Sequence, residues 1–263
     1  MLQNKTVLIT GATQGLGRQI ALDLAALDVG TLLLHGRDQA RLDRVAGEVG
    51  GAVRTYVADL ADLDAVRDMA GRVREAEGRL DVLINNAAVG GGPDASRREV
   101  SRQGHELRFA VNALAADVLA RELVPLLAAS APARVVNVAS MGQEAVDFDD
   151  PMMERRYDGL SAYCRSKLAM IMMTFELAAE LADRKVTVNA VHPAHLMDTR
   201  AVREYGLTPE AGVEEGSRPV VRLVTDPELE TTTGRYFDRF TEARAHDQAY
   251  DPVARGRLAA LLS

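Results

Sequence analysis

Six short, almost unbroken apolar runs separated by helix-length segments constrain this chain more than any single motif does. "TVLIT" (6–10), "TLLLHG" (31–36), "AVRTYVA" (52–58), "DVLINNA" (81–87), "RVVNVAS" (134–140) and "VTVNAVH" (186–192) read as strands. They do not alternate apolar with polar, so both of their faces must be covered. Segments long enough for helices lie between them, at 16–28, 62–77, 106–129 and 162–183. A helical stretch at 209–225 precedes a last strand-like "GRYFDR" (234–239). This alternation predicts a parallel sheet with helices on both faces, joined by right-handed crossovers. At 263 residues the chain suits one domain over 1–263, with "VGGGP" (89–93) and 141–159 as loops.

Charge and composition remove several functional classes. A net charge of −7 disfavours a nucleic-acid binder, which would need a basic face. No apolar run is long enough to span a bilayer, so no membrane partner is expected. Polar Gln3, Asn4 and Lys5 lead straight into the first strand, unlike a secretory signal. The single Cys164 suits a reducing, cytoplasmic compartment. His192 and His195 flank Pro193 without a third ligand at suitable spacing, so no metal site is expected.

"TGATQGLGRQIA" follows the first strand, with Gly11, Gly15 and Gly17 where strand turns into helix. Glycine permits positive φ and lets a diphosphate approach the backbone, and the helix N-terminus offers free N–H groups. Thr13, Gln14 and Leu16 complete the candidate cofactor contacts on this turn. An ordinary Gly-rich turn would carry the same residues, and no Lys-Ser/Thr pair follows to make a triphosphate loop. The second strand ends in Gly36 and Arg37, where dinucleotide folds commonly place an acidic ribose contact. A guanidinium there suits a 2′-phosphate, so NADP is preferred to NAD. Asp38 could instead cap the next helix.

In "LSAYCRSKLAM", Tyr163 and Lys167 are four residues apart and share one face of a helix. An ammonium beside a phenol lowers its pKa, which suits proton transfer to an alkoxide. Of 31 basic residues only three are lysines, so a lysine at this position is a choice against the chain's bias toward arginine.

Taken in order, these motifs resemble the short-chain dehydrogenase/reductase family from about residue 5 onward. The resemblance implies a single Rossmann-like, doubly wound α/β domain with a seven-stranded parallel sheet. It further implies an oxidoreductase that interconverts a carbonyl and an alcohol by hydride transfer. Asp59 with Leu60, Asn86 with Ala87, and Pro193 match cofactor-contacting positions; Asn85 and Ala88 complete the Asn-Asn-Ala-Ala stretch. Ser140, Tyr163 and Lys167 match the catalytic set, and Asn112 a residue holding a relay water; Tyr163 and Lys167 also face the cofactor. The chain departs from the family at Ala88, Ala194 and Thr199, with Asp198 where the threonine is expected. Twenty-two residues separate Ser140 from Tyr163. The extra "DFDDPMMERRYDG" resembles the branch of retinol dehydrogenases and protochlorophyllide reductase-like proteins.

Loops 141–159 and 194–217 would border the substrate mouth. Met141, Met152, Met153, Leu196 and Met197 give them adaptable apolar surface, consistent with a small apolar substrate. The helix bearing Tyr163 is apolar on more than one face, which points to a homodimer or homotetramer. A C-terminal segment folded over that face would serve equally. Two other classes stay open: a redox-sensing scaffold without turnover, and a dehydratase or cyclase on the same fold.

Overall fold

A computed structural model describes residues 2–262; Met1 and Ser263, within the expected domain, lie outside the described residues. Each expected strand forms: β1 (Thr6–Ile9), β2 (Thr31–Gly36), β3 (Val53–Val57), β4 (Val82–Asn85), β5 (Ala133–Val138), β6 (Val186–His192) and β7 (Arg235–Asp238). They pair in parallel in the order β3-β2-β1-β4-β5-β6-β7. The expected count of seven is one short, because β8 (Thr241–Glu242) adds an antiparallel edge to β7. Two exposed polar residues give no apolar signal, and the hairpin depends on Arg239 at φ +53.

The sheet divides the core by strand periodicity. Leu8, Leu33, Leu83, Val135 and Val188 face one side, under α3 (Leu63–Ala76), α5 (Ala115–Ala129) and α6 (Gly159–Glu180). Their neighbours Val7, Ile9, Leu32, Leu34, Ile84 and Val136 face the other side, with α1 (Gly15–Ala26), α2 (Gln39–Val49) and α8 (Val213–Thr225). Burial on both faces explains why the strands read as continuous apolar runs. The chain order reverses between β1 and β4, so the crevice at their carboxyl ends is where an open α/β sheet binds ligands.

The long helix expected at 106–129 is interrupted. A short α4 (Leu107–Phe109) passes through a π turn at Ala110–Leu114 before α5 begins. Such turns re-aim main-chain groups and are frequent at functional sites. Asn112 sits at its centre.

The apolar excess of α6 is covered within the chain. After β8, the turn Asp247–Tyr250 and α9 (Pro252–Leu262) lie along this helix. Ala245, Ala249, Ala254 and Leu258 join the same core as Met170, Met172 and Met173. The Phe175 and Tyr250 rings stand 5.4 Å apart, and Arg255 pairs with Glu176. The second buried face therefore has an intramolecular partner, and it no longer argues for a second subunit.

Candidate active site

The glycine turn is shaped by contacts that only glycine allows. Gly11 and Gly15 adopt φ of +67° and +53°. A Cβ on Gly17 would lie 2.3 Å from the Gly11 carbonyl oxygen. Gln14 precedes α1 without a side-chain cap, which leaves the first-turn N–H groups free of side-chain acceptors. This cradle fits the diphosphate of a dinucleotide. Leu16 turns its side chain into the core beside α8, so only its backbone serves the turn.

The Asn-Asn-Ala-Ala stretch clasps the turn from β4. Asn86 Nδ2 donates to the Thr10 carbonyl at 2.8 Å. The Asn86 and Ala87 N–H groups donate to Thr10 Oγ1 at 2.9 and 3.0 Å. Asn85 points inward, donating to Asn137 Oδ1 at 2.8 Å, and is structural.

One member of this assembly escaped the sequence reading. His35 Nδ1 accepts from Gly11 N–H at 3.2 Å, and Nε2 faces the Ala58 carbonyl at 3.1 Å. That geometry places the ring proton on Nε2. A polar ring inside the apolar "TLLLHG" was the available signal. Burial lowers the pKa of His35 to about 4, and that of His192, after β6, likewise to about 4. The unfolded rings titrate near ~6.5, so between these values the unfolded chain binds the extra protons. Stability is therefore present above pH ~6.5 and lost as pH falls toward 4, by up to about 3 kcal/mol per ring. Urea unfolding between pH 7 and 4.5 should show this loss. His35→Asn should be less stable at neutral pH and converge on the wild type in acid; a constant gap would defeat the assignment.

Beside the turn, Thr13, Gln14, Gly15, Arg18, Arg41, Arg44, Val45 and Glu48 line a cleft of about 420 Å³. Arg37 is exposed at the end of β2 and, among the described residues, forms no ion pair. Asp38 takes its alternative role and caps α2, accepting from Arg41 N–H at 3.0 Å. Asp59 is exposed after β3 and accepts from Ala61 N–H at 3.0 Å. Leu60 is buried in the core, so its side chain is not offered to an adenine.

Ser140, Tyr163 and Lys167 come together at the carboxyl ends of β5 and β6. Asp158 caps α6 by accepting from Ser161 N–H at 2.8 Å, and Tyr163 lies in the first turns. Ser140 lies beside the Tyr163 phenol, and its Oγ accepts from Gly142 N–H at 3.0 Å. Lys167 is buried, with Nζ donating to the Val138 carbonyl at 2.7 Å and 5.8 Å from the Tyr163 ring centre. Burial dominates both groups. It raises the phenol's pKa against the opposing influence of the Ser140 hydroxyl, and lowers that of Lys167 to about 7. Burial outweighs the depression expected from a neighbouring ammonium.

Asn112 is fully buried in the π turn. Its Oδ1 accepts from Val89 N–H at 2.8 Å, and Nδ2 donates to the Val89 carbonyl at 3.0 Å and to Ser166 Oγ at 2.9 Å. Ser166 in turn donates to the Tyr163 carbonyl at 2.7 Å. The side chain therefore ties the loop after β4 to α6.

Pro193 and Ala194 are buried after β6. Thr199, rather than Asp198, borders the cradle, its Cγ2 being 3.8 Å from where a Gly15 Cβ would lie. Asp198 is engaged with Arg203 at 2.6 and 2.8 Å. His195 is exposed and faces Glu210 at 3.9 Å.

The mouth loops are less uniform than expected. Met141 is exposed, Met153 is buried, and Met197 packs toward α8. Loop 141–158 is anchored by a buried network with no sequence signature. Arg108 donates to the Gly90 and Gly91 carbonyls at 3.0 and 3.2 Å and pairs with Glu106 at 3.3 Å. Tyr157 donates to Glu106 at 3.0 Å. Tyr205, following α7 (Arg200–Glu204), packs its ring against Gly91.

Residues 5–209 match the family model described as short chain dehydrogenase. Retinol dehydrogenase 13 of Mus musculus is 34% identical over 280 residues, covering 98% of this chain and 82% of that protein. Retinol dehydrogenase 14 of Mus musculus is 35% identical over 281 residues, covering 95% and 82%. The fold matches 3-ketoacyl-(acyl-carrier-protein) reductase from Brucella melitensis complexed with NADH. That match has a TM-score of 0.73 and 25% identity, over 92% of this chain and 100% of the reductase. An uncharacterized protein from Mycobacterium Paratuberculosis matches with a TM-score of 0.81 at 25% identity, over 99% and 92%. The chain belongs to the short-chain dehydrogenase/reductase family, in its retinol dehydrogenase-like branch, and is an NAD(P)-dependent oxidoreductase of carbonyl and alcohol groups.

Proposed function

We propose an NADP(H)-preferring oxidoreductase that acts on an apolar carbonyl or alcohol with Tyr163 as the acid/base. The observation that carries this reading is the convergence of Ser140 and Tyr163 beside buried Lys167, opposite the glycine cradle across the β1/β4 crevice. A bound nicotinamide dinucleotide supplies or accepts the hydride. In the reducing direction Tyr163 donates its phenolic proton to the developing alkoxide. Ser140, whose Oγ accepts from Gly142 N–H, donates its own proton in a hydrogen bond to the same oxygen. Lys167 would hold the nicotinamide ribose hydroxyls and, when charged, stabilise the phenolate. The Asn112 side chain is committed to Val89 and Ser166, so any part in a proton relay runs through its main chain.

Arg37, exposed and free of ion pairs among the described residues, supports NADP, as do Arg18, Arg41 and Arg44 around the adjoining cleft. Exposed Met141 and Leu160, flanking Ser140 and Tyr163, support an apolar substrate, and the names of the relatives make retinol a first alcohol to test.

The test is stoichiometric oxidation of NADPH against a panel of apolar aldehydes and ketones, with NADH in parallel. NADPH should bind more tightly, and Arg37→Ala should weaken it by about tenfold or more while leaving NADH within about twofold. Equal losses for both cofactors would overturn the NADP reading. Cofactor binding without turnover across the panel would favour the sensor class.

A further inference from the structure

We propose that Tyr236 and Gln143 are positioning residues for Ser140, and that the C-terminal segment holds the Ser140 loop against α6. This rests on the reading of Ser140 as the group that stabilises the alkoxide. The Ser140 carbonyl accepts two long side-chain donors: Tyr236 Oη from β7 at 3.1 Å and Gln143 Nε2 at 3.0 Å. The Gln143 amide also lies beside the Tyr236 oxygen. A carbonyl oxygen has two lone pairs, so both are engaged and the peptide plane after Ser140 is fixed. The same turn brings Gly142 N–H to Ser140 Oγ at 3.0 Å. That bond fills one of the two acceptor lone pairs of the hydroxyl and holds its rotamer, leaving its proton available for the substrate oxygen.

The clamp is tied to the C-terminal segment. Gln143 Oε1 accepts from His246 N–H at 2.7 Å. The Gln248 amide meets both main-chain groups of buried Val146, accepting from N–H at 2.7 Å and donating to the carbonyl at 3.0 Å. The segment is fastened in turn to α6, which bears Tyr163 and Lys167, through Phe175–Tyr250 and Glu176–Arg255. Residues 236–255 thus set the placement of the Ser140 loop relative to the Tyr163 helix. They lie beyond the 5–209 span that matches the family model.

A double-mutant cycle tests this. Tyr236→Phe keeps the ring and removes one donor, so kcat should fall about five- to tenfold, with KM and the NADPH Kd within about twofold. In a Ser140→Ala background the same substitution should cost less than about twofold, since nothing remains to orient. The cycle is repeated with Gln248→Leu, which leaves Tyr236 in place, and thermal melts accompany every variant. Coupling in either cycle supports the clamp. Equal penalties with and without Ser140 mark a merely structural role and overturn it. Ser140→Ala alone reports on the underlying reading: unchanged turnover there defeats the role of Ser140, whereas a large loss there with uncoupled cycles defeats the clamp alone.

Discussion

Tyr163→Phe should lower turnover by about three orders of magnitude while leaving NADPH binding within about twofold of the wild type. The substitution keeps the ring, so the packing of α6 on β5 is preserved. What it removes is the phenolic proton beside Ser140. The glycine turn, the expected cofactor cradle, is built from Gly11, Gly15, Gly17 and Asn86, none of which depends on that hydroxyl for its geometry. The measurement pairs NADPH oxidation against a responsive aldehyde with a fluorescence titration of bound NADPH. A variant turning over within tenfold of the wild type would show that the proton comes from elsewhere. Parallel losses of binding and turnover would instead mark Tyr163 as a cofactor contact.

Lys167→Met is expected to separate catalysis from stability. Turnover should fall at least about a hundredfold, because the phenolate loses its nearby cation. Stability at neutral pH should rise. An unfolded lysine titrates near ~10.4 and the buried one at about 7, so between these values the unfolded chain holds the extra proton. The sign follows: stability increases as pH climbs from 7 toward 10 and is lost as pH falls back to 7. At pH 7 the ammonium's burial costs about 4 kcal/mol. Methionine fills similar volume without that cost but leaves the Val138 carbonyl without its 2.7 Å donor, a loss of about 1–3 kcal/mol. The net gain should be about 1–3 kcal/mol in urea unfolding at pH 7, and the rise in stability above pH 7 should flatten. A variant less stable than the wild type, with an unaltered pH slope, would sink this account. A group retained at such cost is what a functional site requires.

The site shows how far local pattern carries. Gly11, Gly15 and Gly17 could be placed because the reason for glycine lies within the turn itself. Tyr163 and Lys167 could be placed together because four residues on a helix set their common face. The apolar excess of α6 was equally legible, but its partner was not. Covering by α9 and covering by a second chain make the same demand on the α6 sequence, and only the folded chain distinguishes them.

The remote groups that reach the site were invisible for the same reason. His35 reaches Gly11 across 24 positions and Tyr236 reaches Ser140 across 96. Arg108 serves carbonyls, which every residue possesses and which leave no mark in a sequence. Sequence alone determined the layered α/β architecture, the cofactor turn and the Tyr–Lys pair, because strand and helix periodicity and backbone freedom act over a few residues. The tertiary structure decided which polar side chains hold the glycine turn, which reach the Ser140 carbonyl, what covers α6, and that burial dominates the ionisation of Tyr163 and Lys167. These depend on distance and desolvation, which arise only once remote segments are packed together.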